Sequence, residues 1–376
     1  MKKYMLTLAA SLITLTAQAE VRVGVVVAET GPAASLGIPA RNVFELLPAT
    51  LGGEPVKYIV LDDASDTTSA VRQARKLIEQ EKVDLVIGSS TVPTSIAVAG
   101  VAGELKTPQL ALAPMSIDTA QNAWAYAVPQ PTRIMMSAVV DDMQAKGLKT
   151  VAYLGFSDSW GDMVLAGLED NLSRSDIKLV ASERYARADT SVAGQVLKLT
   201  AAKPDAVVVG GAGTPGVLPQ MALRERGYKG PIYHNTGVIN RDFLRVGGKV
   251  VEEAYAPTGP VMVAEQLLDE NLIKPAALTF IEAYEGKYGK GMRNAFAAYA
   301  WDAYLLADKA VQTAAKTAKP GTAAFREAVR TALENNKEVV GTHAVYNMTE
   351  KDHTGVDARA SALVQVKNGD WVLVTR

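Results

Sequence analysis

Short apolar runs alternate along the chain with longer stretches whose apolar residues recur every three or four positions. Runs rich in valine and isoleucine are typical of buried strands, and the longer period is typical of helices with one buried face. Strands buried on both faces and joined by helices form a parallel, doubly wound sheet, which predicts the α/β fold class. The first series comprises predicted strands at residues 21–27, 56–61, 84–88 and 109–112 and predicted helices at residues 35–51, 66–81 and 94–105.

The same alternation begins again at residue 150, after the proline-containing segment 128–131. A Pro/Gly segment, residues 256–260, closes this second series. Two successive series predict two similar lobes rather than one enlarged sheet. The second series comprises predicted strands at residues 150–155, 178–181, 205–210 and 232–234 and predicted helices at residues 160–173, 192–202 and 216–227.

The rest of the chain differs from both series. Residues 275–335 are Ala-rich and predicted to be helical, and we expect this helical tail to pack on the first lobe. Two short strands are predicted within residues 364–374, around the dipeptide Asn368-Gly369, which favours the type I′ turn of a tight hairpin.

Composition limits the functions that this fold can serve. The chain has 376 residues, 48% hydrophobic and 21% charged, which suits two globular domains of ordinary composition. Its 39 basic and 40 acidic residues give a net charge of -1, which argues against a nucleic-acid groove. Because the sequence has no cysteine and three histidines, disulfides and thiol nucleophiles are excluded, and little material remains for metal or acid–base chemistry.

The first nineteen residues have the pattern of a secretory signal peptide. Lys2 and Lys3 form the positive start, residues 4–15 form an apolar segment too short for a membrane anchor, and residues 17–19 (Ala-Gln-Ala) form a cleavage site. No cysteine follows that could carry a lipid. We therefore expect a mature protein that begins at Glu20 and resides in the periplasm without membrane insertion.

A glycine-rich turn raises the alternative of an enzyme. Residues 211–216 (GAGTPG) match the GxGxxG pattern of dinucleotide-binding turns and lie between a predicted strand and a predicted helix. The next strand ends without the acidic residue that would bind a ribose, and Pro215 removes a backbone donor. We interpret the segment as a turn lining another kind of cleft, with a nucleotide-dependent oxidoreductase as the alternative.

Other candidate catalytic or metal-binding groups are weaker. Residues 155–159 lack the second glycine of a nucleophile elbow, so no catalytic residue is assigned. The carboxylate pairs Asp62-Asp63 and Asp141-Asp142 are interpreted as capping or solvated groups, because no histidine or further carboxylate accompanies them. We therefore expect neither a metal nor a cofactor.

Three consecutive hydroxyl residues, Ser89, Ser90 and Thr91, lie between a predicted strand and a predicted helix. Hydroxyls and backbone N–H groups at such a helix start favour an anion. The simpler alternative is N-capping by Thr91 or Thr94. Because ligands of open α/β sheets lie beyond the carboxyl ends of the strands, this loop and residues 29–37 are candidates for one binding site.

Four segments together resemble a known family: TGPAASLG after the first strand, GSSTVPTSIAVAGVAGELKTPQLALAP, FSDSWGDM and PDAVVVGGAG. Their order and spacing are similar to those of the periplasmic ligand-binding proteins of the branched-chain amino-acid class of ABC importers. The resemblance implies a type I periplasmic binding protein, with two Rossmann-like lobes joined by three crossovers that close on a ligand. The implied N-terminal lobe is residues 20–130 plus 261–341, and the C-terminal lobe is residues 131–260 plus 342–376.

The resemblance also implies a ligand site. The hydroxyl loop would bind a carboxylate, and Trp160 would pack on the ligand from the other lobe. The residues implied at the site are Leu36, Ser89, Ser90, Thr91, Ala113, Met115, Ser116, Trp160, Ala212, Gly213 and Thr236.

The departures from the family pattern concern the ligand class. Thr236 occupies the position of the acidic residue that binds a ligand ammonium in the amino-acid binders, Ala212-Gly213 replaces an aromatic, and Met115 replaces a threonine. A buried ammonium without its counter-ion costs several kcal/mol. The sequence therefore predicts a binding protein, not an enzyme, for a small organic anion, with aromatic carboxylates favoured.

Branched-chain or other aliphatic amino acids are the alternative ligands, and delivery to a sensor is a further possibility. The implied partners are the small-molecule ligand and an inner-membrane ABC permease, and we expect a monomer.

Overall fold

The computed structural model describes residues 20–374, which form two main β-sheets flanked by helices. The predicted signal peptide, residues 1–19, lies outside the described residues, as do the last two residues of the chain. No helix in the described range is long and apolar enough to cross a membrane.

The first sheet comes from the N-terminal part of the chain. Its strands are β1 (Val21–Val27), β2 (Thr50–Leu51), β3 (Glu54–Asp62), β4 (Leu85–Gly88), β5 (Gln109–Ala111) and β6 (Ala125–Ala127). The strand order is β2-β3-β1-β4-β5-β6, and all pairs are parallel except β2–β3. The crossovers contain α1 (Ala34–Val43), α2 (Thr67–Arg75), which continues into a wider turn at Lys76–Gln80, and α3 (Val92–Glu104).

The predicted helix over residues 35–51 is wrong at its C-terminal end. Helix α1 ends at Val43, and β2 pairs antiparallel with the start of β3. The reason is the Gly52-Gly53 dipeptide, whose φ angles of 59° and 90° provide the left-handed turn of a hairpin. A side chain at Gly52 would also collide with the backbone of Gln312, 2.3 Å from an ideal Cβ.

The second sheet is formed by later segments. Its strands are β7 (Thr150–Phe156), β8 (Lys178–Tyr185), β9 (Ala206–Gly210), β10 (Ile232–Tyr233), β11 (Tyr255–Thr258), β14 (Ala362–Lys367) and β15 (Asp370–Leu373). Strands β12 (Val339–Val340) and β13 (Val345–Tyr346) form a separate two-stranded ribbon. The order is β15-β14-β11-β10-β9-β7-β8, with β14 and β15 antiparallel. Its helices are α4 (Thr132–Ala145), α5 (Ser159–Leu172), α6 (Ala193–Ala201), α7 (Val217–Glu225) and α8 (Arg241–Gly247).

Two details of this sheet bear on the sequence predictions. The hairpin at Asn368-Gly369 is confirmed, since both residues have positive φ between β14 and β15. Residues 256–260 were predicted as a closing Pro/Gly segment, whereas β11 runs to Thr258. Pro257 is tolerated because β11 pairs with β10 only at Tyr255, before the proline.

The helical tail forms α9 (Lys274–Tyr288), α10 (Ala295–Ala314) and α11 (Ala323–Asn335). It packs on the first sheet, as predicted. Asp308 of α10 accepts a hydrogen bond from Gly52 N (2.6 Å), and Tyr126 of β6 donates to the carbonyl of Arg330 in α11 (3.2 Å). The chain therefore passes between the two sheets three times, after β6, after β11 and between β13 and β14.

Candidate functional site

A narrow cavity of about 20 Å³ lies between the carboxyl ends of the parallel strands of the two sheets. Its lining follows β1, β4 and β5 on one side and β7, β8, β9 and β10 on the other, with a third contribution from α10. This is where open α/β sheets place their ligands. The lining residues are Leu36, Ser90, Thr91, Val92, Ala113, Pro114, Trp160, Arg187, Ala212, Thr236, Gly237, Phe296 and Tyr299.

We call the side that follows the first sheet the first wall; its polar residues in the cavity lining are Ser90 and Thr91. Thr91 has an extended backbone and is the N-cap of α3, because its Oγ1 accepts from Thr94 N at 3.4 Å. Ser90 Oγ accepts from Ala28 N at 3.3 Å. The positive end of the α3 dipole therefore backs a wall whose hydroxyls already have protein partners.

Ser89, predicted in the same site, does not line the cavity. Its side chain is fully buried, donates to the carboxylate of Asp63, and accepts from Thr94 Oγ1 (2.8 Å) and Ser90 N (2.5 Å). Asp63 is also fully buried, so it is not solvated, but it does have the predicted capping role, because its Oδ1 accepts from Ser65 N at 2.9 Å. Burial raises the pKa of the Asp63 carboxyl, while the hydrogen bond from Ser89 opposes that rise.

In the second carboxylate pair, Asp141 is exposed, whereas Asp142 departs from the solvated interpretation. Asp142 is nearly buried, accepts from Tyr233 Oη at 2.7 Å and pairs with Lys146. Within residues 20–374, no group of three or more histidine or carboxylate side chains is arranged to hold a metal ion.

Of the three predicted site residues in the loop after β5, one lines the cavity and two do not. Ala113 lines the cavity. Met115 instead packs in a small cluster with Ala99, Ala111 and Ala125, and Ser116 is exposed. The loop therefore contributes apolar surface to the cavity, without the Ser116 hydroxyl.

We call the opposite side, which follows the second sheet, the second wall; Trp160 is its largest apolar residue. Asp158 caps α5 by accepting from Trp160 N (2.9 Å), and the indole Nε1 donates to Gly211 O (3.4 Å). Trp160 is 4% exposed and lines the cavity. These contacts fix the plane of the indole at the cavity surface.

The glycine-rich turn brings the two walls into contact. Ala212 lines the cavity, whereas Gly213 does not. Gly213 has a φ of 60°, and an ideal Cβ there would lie 2.8 Å from Leu36 Cδ1 of the first wall. Because the walls meet at this point, the structure shows a closed cleft.

Thr236, for which the resemblance implied an acid in the amino-acid binders, lies in the second wall. It is 3% exposed, and its Oγ1 donates to Met135 Sδ at 3.2 Å. The neighbouring Asn235 holds the loop by donating to Gly211 O at 2.8 Å. Among the lining residues in the described part of the chain there is no carboxylate.

Arg187 is the charged residue of the lining, and sequence reasoning missed it. Its Nε donates to Asp158 Oδ2 at 2.6 Å, and its guanidinium lies 4.3 Å from the ring centre of Phe156. The predicted strand ended at residue 181, but β8 continues to Tyr185. Because of that extension, Arg187 lies at the carboxyl edge of the sheet. A correct prediction of where the strand ends would have identified Arg187 as a candidate site residue.

Phe296 and Tyr299 of α10 also line the cavity and were missed. Asn294 caps α10 by accepting from Phe296 N at 2.8 Å. Tyr299 donates to Gln130 Oε1 at 3.0 Å and stacks on His343 with ring centres 4.1 Å apart. Burial raises the pKa of the Tyr299 phenol, so it stays neutral.

The structure thus brings seven of the predicted residues around one cavity and leaves four outside its lining. Those that line it are Leu36, Ser90, Thr91, Ala113, Trp160, Ala212 and Thr236, and those that do not are Ser89, Met115, Ser116 and Gly213.

Two α/β lobes with a closed cleft between their strand ends define a hinged ligand-binding protein. A model of the periplasmic binding protein family matches residues 20–370, and the chain belongs to that family. Within it, the chain is a type I protein of the branched-chain amino-acid class, which confirms the predicted fold and resemblance.

Three known proteins illustrate the similarity. An extracellular ligand-binding receptor from Rhodopseudomonas palustris HaA2 is 46% identical, with a TM-score of 0.92 over 95% of this chain and 100% of that one. Leu/Ile/Val-binding protein homolog 7 from Brucella abortus (strain 2308) is 24% identical, over 79% of this chain and 78% of that protein. An ABC-transporter solute-binding protein from R. palustris, solved with benzoate, is 20% identical with a TM-score of 0.76, over 94% and 95% of the two chains.

Proposed function

We propose that this protein is the periplasmic solute-binding component of an ABC importer and captures a small organic carboxylate with an apolar, preferably aromatic, body. The observation that carries the proposal is the lining itself. It combines one cation, Arg187, with extensive apolar surface, and it contains no carboxylate among the described residues. Such a surface favours a ligand with one negative charge and no positive charge.

The carboxylate would bind between Arg187 and the start of α3. Arg187 offers a charge-assisted donor, and the helix dipole at Thr91 favours negative charge. Asp158 neutralises part of the Arg187 charge but holds the guanidinium in one orientation, which reduces the entropy lost on binding. The apolar body would pack between Trp160 and Phe296.

An amino acid fits this lining less well. Its ammonium would face Thr236, whose hydroxyl already donates to a thioether. A buried ammonium with no counter-ion costs several kcal/mol. Aliphatic amino acids remain the alternative, supported by the name of the Brucella relative, whereas the benzoate complex supports only that this fold accommodates aromatic acids.

Calorimetry with matched ligand pairs tests the proposal. We expect phenylpropionate to bind at least about tenfold better than phenylalanine, and isocaproate better than leucine by a similar factor, or about 1.4 kcal/mol. Thr236→Glu should shrink or reverse the preference, because it restores a counter-ion. Tight binding of leucine or phenylalanine by the unmodified protein, without binding of the deaminated acids, would establish the alternative.

The same preparation separates binding from catalysis. A binding protein gives saturable, stoichiometric binding with the ligand recovered unchanged, whereas the oxidoreductase alternative requires bound nucleotide and product. Export is tested separately: a mature N-terminus at Glu20 in the osmotic-shock fraction supports periplasmic location. Recovery of uncleaved chain in membranes would contradict it.

A further inference from the structure

The first crossover between the lobes contains a two-residue segment between two anchors. On one side, Val128 N donates to Ala111 O of the first sheet at 3.1 Å. On the other side, the carbonyl of Pro131 accepts at 3.0 Å from an amide in the first turn of α4. We call residues 129–130, which lie between these anchors, the pivot. Because hinge movements are absorbed by a few residues, we expect opening of the cleft to change the backbone angles of the pivot.

The side chain of Tyr299 contacts both the cleft and the pivot. It extends from α10, which packs on the first lobe, and it lines the cavity. Its Oη donates to Gln130 Oε1 at 3.0 Å, and both side chains are buried. Gln130 itself does not line the cavity. The phenol therefore connects a ligand-facing surface of the first lobe to the side chain of a pivot residue.

The ring of Tyr299 also leads to the second crossover. It stacks on the imidazole of His343, with ring centres 4.1 Å apart. Helix α10 holds this imidazole, because His343 N donates to Asp302 Oδ2 (3.0 Å) and His343 Nε2 donates to Ala295 O (3.1 Å). Gly259, the residue after β11, lies so close to the imidazole that a Cβ there would collide with His343 Nδ1. Tyr299 is therefore linked directly to one crossover and, through His343, to another.

We propose that Tyr299 is a positioning residue that couples ligand capture in the cleft to closure of the hinge. Its ring faces the ligand, while its hydroxyl holds Gln130 in the conformation that the pivot has when the cleft is closed. A hydrogen bond made only in the closed state favours that state, which raises the apparent affinity although the hydroxyl need not touch the ligand. The inference rests on the proposed binding function, because it needs a ligand that closes the cleft.

Two variants remove this hydrogen bond from opposite ends. Tyr299→Phe keeps the ring but removes the donor, and Gln130→Met keeps the side-chain length but removes the acceptor. Each should speed ligand dissociation, measured by stopped-flow tryptophan emission, about two- to tenfold, the effect of one hydrogen bond, with association unchanged. The double variant should lose no more than the larger single loss, because both changes remove the same interaction. Tyr126→Phe is the matched control, since its hydroxyl donates to Arg330 O within the first lobe, and it should change neither rate.

A separate measurement of closure distinguishes this coupling from a lost ligand contact. Because the chain has no cysteine, spin labels can be attached at Ile38→Cys on α1 and Leu197→Cys on α6, which are exposed positions in different lobes. Pulsed EPR then gives the distance between the labels in the mature protein, without ligand and with phenylpropionate or leucine. We expect ligand to favour the short distance, and both Tyr299→Phe and Gln130→Met to increase the fraction at the long distance.

Unchanged dissociation rates and distances in both variants would overturn the proposal, as would losses that add in the double variant. Faster dissociation in Tyr299→Phe alone, with unchanged distances, would also overturn it, because the hydroxyl would then act on the ligand directly. If leucine binds and phenylpropionate does not, the proposed ligand class is wrong, and the leucine series decides the coupling. If neither binds, the proposed function fails, and the ligand-free distances decide: longer distances in both variants support the coupling, and unchanged distances overturn it.

Discussion

The first wall of the cleft uses most of its polar groups for its own structure, whereas the second wall brings a charged side chain to the cavity. On the first side, Ser89 is committed to Asp63 and Thr91 to Thr94. On the second side, Arg187 lines the cavity while Asp158 holds it. We therefore expect the row of hydroxyls to mark the edge at which the ligand binds, and Arg187 to supply the main polar contact.

The largest expected effect is the loss of folding stability in acid, which is caused by two buried histidines. His234, next to the Thr236 loop, and His343, stacked on Tyr299, are fully buried, and burial lowers the pKa of each to about 3. The pKa of histidine in the unfolded chain is about 6.5. The unfolding free energy is therefore highest above that pH and falls as the pH drops toward 3. We therefore expect protonation of each histidine in acid to lower the unfolding free energy by several kcal/mol, since one pKa unit is about 1.4 kcal/mol.

Asp302 opposes this trend in part. Burial raises its pKa to about 6, so it favours the folded state as the pH falls through that value. Urea unfolding across this pH range should still show a net loss of unfolding free energy on acidification. His343→Gln should flatten the profile; a profile that is level or rises toward acid would contradict the assignment of two neutral histidines.

Arg187→Gln removes the charge of the second wall. We expect the affinity for phenylpropionate to fall by about 1.5–3 kcal/mol, the range for a hydrogen bond to a charged group. Arg184→Gln is the matched control, because Arg184 pairs with Asp162 and does not line the cavity. An equal loss for phenylpropionamide, which has no charge, would mean that Arg187 acts only through packing.

Trp160→Ala removes the largest apolar contact of the same wall. The expected loss of affinity is about 1–3 kcal/mol, the scale of a buried aromatic anchor. Ligand binding to the unmodified protein should change tryptophan emission and compact the protein in solution scattering. Unchanged affinity in the variant would place the aromatic body of the ligand elsewhere.

The smallest effect should come from the first wall. Ser90→Ala removes a hydroxyl that already serves Ala28 N, so we expect a loss of only about 0.5–1 kcal/mol in ligand affinity. Ser116→Ala, in an exposed residue outside the cavity, should change nothing. If Ser90→Ala costs more than Arg187→Gln, the roles of the two walls are reversed.

The errors of the sequence analysis have a common origin in element ends. Stopping a strand at residue 181 placed Arg187 six residues beyond the strand end, whereas the structure places it two residues beyond. Running a helix to residue 51 hid the hairpin at Gly52-Gly53. Local patterns are weakest at such ends, because tertiary contacts decide where an element stops. Phe296 and Tyr299 were missed for another reason: they lie on a helix whose pattern specifies only one buried face.

Short-range periodicity and turn chemistry were enough to predict the two α/β series, the hairpin at Asn368-Gly369 and the strand edge at which we propose that a ligand binds. Which polar groups are free for a ligand depends instead on contacts between segments that are distant in the chain. Ser89 and Asp63 are 26 positions apart in the chain, yet their hydrogen bond uses the Ser89 hydroxyl. Arg187 and Asp158 are 29 positions apart, and their hydrogen bond orients the guanidinium. The first pair joins the ends of β3 and β4, which flank β1, and the second joins the ends of the adjacent strands β7 and β8. This sheet order is not specified by any local pattern.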